Sequence, residues 1–123
     1  MIRVLVADDH PTMLLGLEAA LEGERDLDLC GSASDGESAC ELALTSQPDV
    51  VVIDVSMPGI GGIEAVRRIT REVPGARVLV LTWRMDAATR HAAQEAGATG
   101  YLVKDIDRGH LLAAIRSAHA QVR

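Results

Sequence analysis

A doubly wound α/β fold, with a five-stranded parallel sheet covered by helices on both faces, is what the sequence predicts. Three observations carry this. Five short aliphatic or β-branched runs alternate with five segments of helical character, the pattern of repeated strand–helix units. Two of the runs, Val50–Ile53 and Val78–Leu81, are apolar without interruption, as strands buried on both faces must be. The chain of 123 residues, 48% of them hydrophobic, is long enough for one domain with a core of its own, and no internal repeat or Pro/Gly/Ser-rich linker divides it.

The first strand, at Ile2–Ala7, leads to a helix at Pro11–Glu22, where Met13, Leu14, Leu17 and Leu21 recur at helical spacing and Glu18 and Glu22 fall on other faces. Pro11 sits in the first turn, where its missing N–H would have no partner anyway. Gly23 is expected to end this helix in the left-handed conformation. Strand Leu27–Ser32 precedes helix Glu37–Ser46, strand Val50–Ile53 precedes helix Gly62–Glu72, and strand Val78–Thr82 precedes helix Asp86–Ala96. The last of these helices is rich in Ala and has a weak apolar stripe, with Gly97 placed as its left-handed terminator. Strand Gly100–Val103 and helix Asp107–Ala120 complete the series. Right-handed crossovers leave few topologies, and the flavodoxin-like strand order 2-1-3-4-5 leads. The alternative is a piece of a larger Rossmann-type domain, but no Gly-x-Gly-x-x-Gly comes after the first strand.

Composition narrows the function classes. Eighteen acidic against twelve basic residues give a formal net charge of −6, which argues against this segment gripping nucleic acid itself. Cys30 and Cys40 match no zinc or redox spacing and read as free thiols. The sequence shows no secretory signal and no long apolar run, so a cytoplasmic protein without membrane association is expected.

In such a sheet, chemistry gathers beyond the carboxyl ends of the strands. The first strand delivers Asp8 and Asp9, the third Asp54, the fourth Thr82 and the fifth Lys104. Taken singly, each has a plain alternative: Asp8 or Asp9 as a helix cap, Thr82 as a strand residue, Lys104 as a solvated lysine. Asp54 is harder to explain away, because the run Val50–Ile53 leads straight into it. Together, three carboxylates repel one another unless a cation intervenes. Such oxygen ligands suit Mg²⁺, which commonly takes one or two carboxylates plus a phosphate. A lysine and a hydroxyl opposite them suit phosphoryl oxygens, and a carboxylate can act as nucleophile to form an acyl phosphate.

With these residues in place, the whole chain resembles a response regulator receiver domain. The matching pieces are Val4-Leu5-Val6-Ala7-Asp8-Asp9-His10-Pro11, Asp54-Val55-Ser56-Met57-Pro58-Gly59, Leu81-Thr82 and Lys104-Asp105. The Asp-Asp-His-Pro opening, Gly16-Leu17 and Lys-Asp rather than Lys-Pro resemble the NarL/FixJ, or LuxR-type, subgroup. The resemblance implies that Asp54 is the phosphoacceptor of a two-component system. Asp9, Asp54 and the backbone carbonyl of Ser56 would ligate Mg²⁺ directly, with Asp8 acting mainly through a bound water. Lys104 and Thr82 would contact the phosphoryl group, which arrives from a sensor histidine kinase. Thr82 and Tyr101 would form the switch, altering the face made by helix Asp86–Ala96, the last strand and helix Asp107–Ala120. It further implies homodimerisation on phosphorylation, through helix Pro11–Glu22 with the last helix or through the Tyr101 face. DNA would be contacted through a C-terminal helix-turn-helix domain that this chain is expected to lack.

Several positions depart from the family pattern. Trp83 stands where a small residue is usual after the switch Thr, and is expected to shield the site and lengthen the life of the acyl phosphate; its alternative is an indole packed outward. Ser56 and Arg84 flank the path of attacking water and are expected to tune lifetime too. Asp105 stands after Lys104 where Pro is common, which leaves the isomer of that bond open. Gly59, Gly61 and Gly62 make the loop after Asp54 permissive but lack a P-loop ending. Three other functions remain in view. A phosphatase resembling the haloacid-dehalogenase group would want an Asp where Ser56 stands. A binding module working without phosphorylation would be expected to have lost part of the acid–lysine set. A stand-alone receiver would act through protein–protein contacts.

Overall fold

The computed structural model describes residues 1–83 and 86–120. In chain order, the elements are β1 (Ile2–Ala7), α1 (Pro11–Glu22), β2 (Leu27–Ala33), α2 (Gly36–Ser46), β3 (Val50–Asp54), α3 (Gly61–Glu72), β4 (Arg77–Thr82), α4 (Ala87–Ala96), β5 (Gly100–Val103) and α5 (Arg108–Ala120). All strand pairs are parallel, and the order is β2-β1-β3-β4-β5. This is the flavodoxin-like topology the alternation predicts, and it differs from the 3-2-1-4-5 order of the Rossmann alternative. Among the described residues, no helix is long and apolar enough to cross a membrane.

Alternation along the strands splits the core into two layers. Leu5, Ala7, Val51, Ile53, Val78 and Val80 face α2, α3 and α4, meeting Ala39, Ala65, Val66, Ile69 and Ala93. Val4, Val6, Val50, Val52, Leu79 and Leu81 face α1 and α5, meeting Leu17, Leu21, Leu111, Leu112 and Ile115. Each such buried aliphatic side chain contributes about 1.5–3 kcal/mol, so β1, β3 and β4 form the rigid floor of the molecule. The α4 seam consists of Ala93 and Ala96, which accounts for the weak apolar stripe seen in its sequence. Cys30 is half-buried and Cys40 buried, both free; burial pushes the Cys40 thiol up, away from the reactive thiolate form.

The element boundaries move by a residue where side chains cap the helices. Asp86 and Asp107, read as helical, stand before α4 and α5 instead. Their carboxylates accept from the N–H groups of Thr89 at 2.7 Å and His110 at 2.9 Å. Asp35 does the same for α2 through Ser38 N–H at 2.8 Å. Gly97 ends α4 left-handed, at φ 107°. Gly23 does not: its φ is −74°, so the expected left-handed terminator is absent from α1. The Arg108 guanidinium lies over it and donates to the carbonyls of Ala19 and Ala20 at 3.4 and 3.3 Å. Gln47, a residue with a Cβ, takes the left-handed role at the end of α2. No cis peptide occurs among the described residues, so Lys104–Asp105 is trans.

The loop between β3 and α3 turns back on the strand end. Gly59 and Gly61 have φ of 79° and 81°, and Gly62 N–H donates to Val55 O at 3.2 Å. A Cβ on Gly62 would collide with the carbonyl oxygen of Asp54 and with Val55 Cα, both backbone. Backbone cannot step aside as a side chain can. Gly62→Ala is therefore expected to cost about 3 kcal/mol in urea unfolding, the upper range for overpacking; a loss below about 1 kcal/mol would show that the strand end yields.

Candidate functional site

Backbone bonds carry the ladder past the strand ends and fix the residues just beyond them. Asp8 N–H donates to Ala33 O at 3.0 Å, Val55 N–H to Leu81 O at 3.1 Å and Lys104 N–H to Thr82 O at 2.9 Å. Three neighbouring strands and β5 therefore deliver Asp8, Asp54, Thr82 and Lys104 to one rim. All four are buried; Asp8 and Asp54 are wholly so. Asp9 beside them is partly exposed.

The Lys104 side chain is fully buried. Its Nζ is 3.0 Å from Asp8 Oδ2 and 3.0 Å from Asp54 Oδ2. A buried carboxylate needs such a partner, because the cost of desolvating the charge is several kcal/mol. One ammonium against three carboxylates still leaves two negative charges. Consistent with that excess, the buried Asp8 Oδ2 and Asp54 Oδ2 share the one ammonium, and the buried Asp9 Oδ1 has no hydrogen-bond partner. Asp8, Asp9, His10 and Asp54 each bring one ligand atom within 4.8 Å of the others, and the three carboxylates among them fit the oxygen donor set of a divalent cation.

Asp54 is held as a carboxylate. Burial works against its charge, but the Ser56 N–H, the Lys104 ammonium and the Ser56 hydroxyl outweigh burial and hold it below the usual carboxylate range. Ser56 N–H and Oγ donate to Asp54 Oδ1 at 3.1 and 3.0 Å, which leaves Oδ2 facing the lysine and the acids. Ser56 itself is exposed, so its predicted place beside Asp54 is also open to water.

Two aromatic residues complete the surroundings of the rim. Trp83 is 58% exposed, but its ring centroid lies 5.6 Å from Lys104 Nζ, so the indole covers the lysine's outer side. Tyr101 is half-buried against the layer facing α4, with the Arg90 guanidinium 5.3 Å from its ring centroid. That cation–π pair ties β5 to α4. Arg84, expected to tune lifetime, lies outside the described residues.

One alternative reading falls away and one residue is gained. Neither acid of the first strand caps α1: the N-cap position is His10, and no side chain caps that helix. Asp8 Oδ1 instead accepts from His10 N–H at 2.9 Å, a local turn that aims the acidic pair at the rim. The residue that sequence reasoning missed is His10. Its Nδ1 reaches Asp8 Oδ1 at 3.0 Å and Lys104 Nζ at 3.1 Å. The signal for it was its place between the acids and Pro11, which keeps it just outside the helix.

Lys104 should be the structural keystone of this rim. Lys104→Met leaves two buried carboxylates facing each other, and is expected to cost about 3–5 kcal/mol in metal-free urea unfolding. Added Mg²⁺ should recover more stability in the variant than it adds to the wild-type protein. A loss under about 1 kcal/mol would contradict the geometry.

Comparison with known proteins agrees with this geometry. A family model described as the response regulator receiver domain matches residues 4–116. The transcriptional regulatory protein LiaR of Bacillus subtilis is 42% identical over 118 residues, covering 96% of this chain and 56% of LiaR. The response regulator GacA of Pseudomonas aeruginosa is 39% identical over 123 residues, covering the whole of this chain and 58% of GacA. The chain thus spans a little over half the length of these relatives. Among solved structures, the receiver domain of the putative response regulator NarL from Mycobacterium tuberculosis superposes with TM-score 0.89 at 33% identity, covering 98% of both chains. A LuxR-family response regulator from Aurantimonas superposes with TM-score 0.90 at 36% identity, covering 98% of this chain and 86% of that one. This chain belongs to the response regulator receiver domains, in their NarL/FixJ (LuxR-type) branch.

Proposed function

We propose that the chain is a phosphorylation switch in which Asp54 takes a phosphoryl group from a phosphohistidine of a sensor histidine kinase. The observation that carries this is Asp54 itself: a wholly buried carboxylate, held ionised, whose Oδ2 lies 3.0 Å from the Lys104 ammonium and faces the other two acids of the rim. An oxygen of Asp54 attacks phosphorus, the bond from phosphorus to the kinase imidazole nitrogen breaks, and the electron pair leaves with that nitrogen. Little covalent work falls to the protein beyond this; position and charge do the rest. Asp9, Asp54 and the Ser56 carbonyl would hold Mg²⁺, with Asp8 acting through a bound water. Bound there, Mg²⁺ neutralises charge on the phosphoryl oxygens. Lys104 pairs with one of those oxygens and Thr82 donates its hydroxyl to another. Water later attacks the acyl phosphate and returns free Asp54, so the chain catalyses its own acceptance and loss of phosphate and no other reaction.

Phosphorylation adds about −1.5 to −2 charges at this rim. Lys104 and Thr82 move toward the new oxygens, and Tyr101 turns in behind Thr82. The face rebuilt is α4, β5 and α5, and the response includes pairing of two copies. The names of LiaR and GacA point to transcription regulation and response regulation. The output proposed here is likewise a DNA-binding domain joined beyond the C-terminal side, working in the cytoplasm. The negative charge of this segment suits a domain that controls DNA contact without making it.

The test is intact mass after incubation with Mg²⁺ and either a small phosphodonor or a phosphorylated histidine kinase. One phosphoryl mass is expected on the wild-type chain and none on Asp54→Asn. Failure to gain it with every donor would contradict the proposal.

Trp83 sets how freely the site exchanges with small molecules, since its ring covers Lys104 while remaining exposed itself. Trp83→Ala is expected to take up phosphate from acetyl phosphate several-fold faster and to lose it several-fold faster. Unchanged rates in both directions would remove the shielding role.

A further inference from the structure

Tyr101 is the chain's one tyrosine, and a cation lies against its ring. Tyr101 stands opposite Val80 in the ladder between β4 and β5. Thr82 comes two residues further along β4, so both side chains leave the sheet on the same face, the one that α4 covers. β5 is an edge strand, which leaves a ring there two directions: inward behind Thr82, or outward past α4. The Arg90 guanidinium lies 5.3 Å from the ring centroid, within reach of a cation–π contact. Arg90 is exposed and Tyr101 half-buried, so the two meet on the outer side of α4.

Little else on α4 fixes the ring. The buried residues of this helix are Ala93 and Ala96, and neither is bulky enough to wedge a tyrosine in place. Among the described residues no carboxylate pairs with Arg90, so its charge is free to act on the aromatic face. A contact made in one of two positions shifts the balance toward that position by its own free energy. At an exposed site a cation–π contact amounts to about two- to fivefold in such a balance. We propose that Arg90 is a positioning residue for the switch: its guanidinium holds the Tyr101 ring outward while Asp54 is unphosphorylated, and so keeps the resting level of the switched form low. This rests on the movement of Thr82 and Tyr101 proposed above and adds what sets its starting point. The bias is small beside the charge and the new hydrogen bonds that a phosphoryl group brings, so the signal still overrides it.

The test uses beryllofluoride, a phosphoryl mimic, titrated into the chain with Mg²⁺. Binding is followed by the fluorescence of Trp83, the one tryptophan, whose ring centroid is 5.6 Å from Lys104 Nζ. A ligand that needs the switched form binds more weakly in proportion to how rarely that form is populated. Removing a contact of the resting form therefore tightens binding. Arg90→Ala and Arg90→Gln are each expected to bind the mimic about two- to fivefold more tightly. Arg90→Lys, which keeps a cation, should stay closer to the wild-type protein than either. In a Tyr101→Leu background, Arg90→Ala should have no effect, because the double-mutant cycle isolates the pair. Because Arg90 is exposed, the variants should keep the fold; an arginine with a merely structural role would lower unfolding stability without tightening the mimic. Unchanged or weaker binding in Arg90→Ala, or equal tightening with Tyr101→Leu, would overturn the role of Arg90. If the wild-type chain binds the mimic in those cases, the phosphoacceptor reading stands; if it binds none, both fall.

Discussion

The Lys104 ammonium, buried 3.0 Å from both the Asp8 and the Asp54 carboxylates, is the contact on which the working end of the sheet depends. It joins the ends of β1, β3 and β5, which come from the beginning, middle and end of the chain. It also explains how two carboxylates can be wholly buried and one of them still ionised. The lysine compensates only part of the negative charge, however, because three carboxylates share the rim with it. The residual negative charge of the rim fits the proposed binding of a divalent cation there. Buried ion pairs seldom add much net stability; the value of this one lies in the chemistry it leaves open.

The fold behind it is of the opposite kind, apolar and closed. Two aliphatic layers clamp the central strands, and Gly62 lets α3 press directly on the backbone of Asp54 and Val55. The strand that ends in Asp54 is thereby held from both faces. Packing is thinnest on the other side: α4 rests on two alanines, and Tyr101 is half-buried beside the Arg90 guanidinium. The proposed switch fits such a division between a rigid floor and a loosely packed face.

Much of this was legible in the sequence, for physical reasons. Uninterrupted apolar runs such as Val50–Ile53 can only be doubly covered strands, and the residue after a buried strand in a parallel sheet falls at the functional rim. Asp8, Asp54, Thr82 and Lys104 could therefore be placed from the sequence pattern alone. The features that escaped depend on contacts distant in sequence or on a local turn. Gly23 looked like a left-handed terminator, but its φ is −74°, and Arg108, from the far end of the chain, crosses it. Gln47 is left-handed with no glycine to announce it. Asp86 and Asp107 cap rather than enter their helices, a shift of one residue that periodicity does not resolve. His10 was hidden because a histidine's meaning lies in the direction of its ring, which only the Asp8 turn determines.

In the function proposed here, the charge-compensated carboxylate of Asp54, and no other acid at the rim, carries the phosphoryl group. The most direct measurement is reductive trapping. The chain is incubated with Mg²⁺ and phosphodonor, treated with borohydride and mapped by peptide mass spectrometry, since reduction converts a phosphorylated aspartate to homoserine. Homoserine at position 54 alone, dependent on donor, is the predicted result. Homoserine at position 8 or 9, or at none of the three after every donor, would contradict the account.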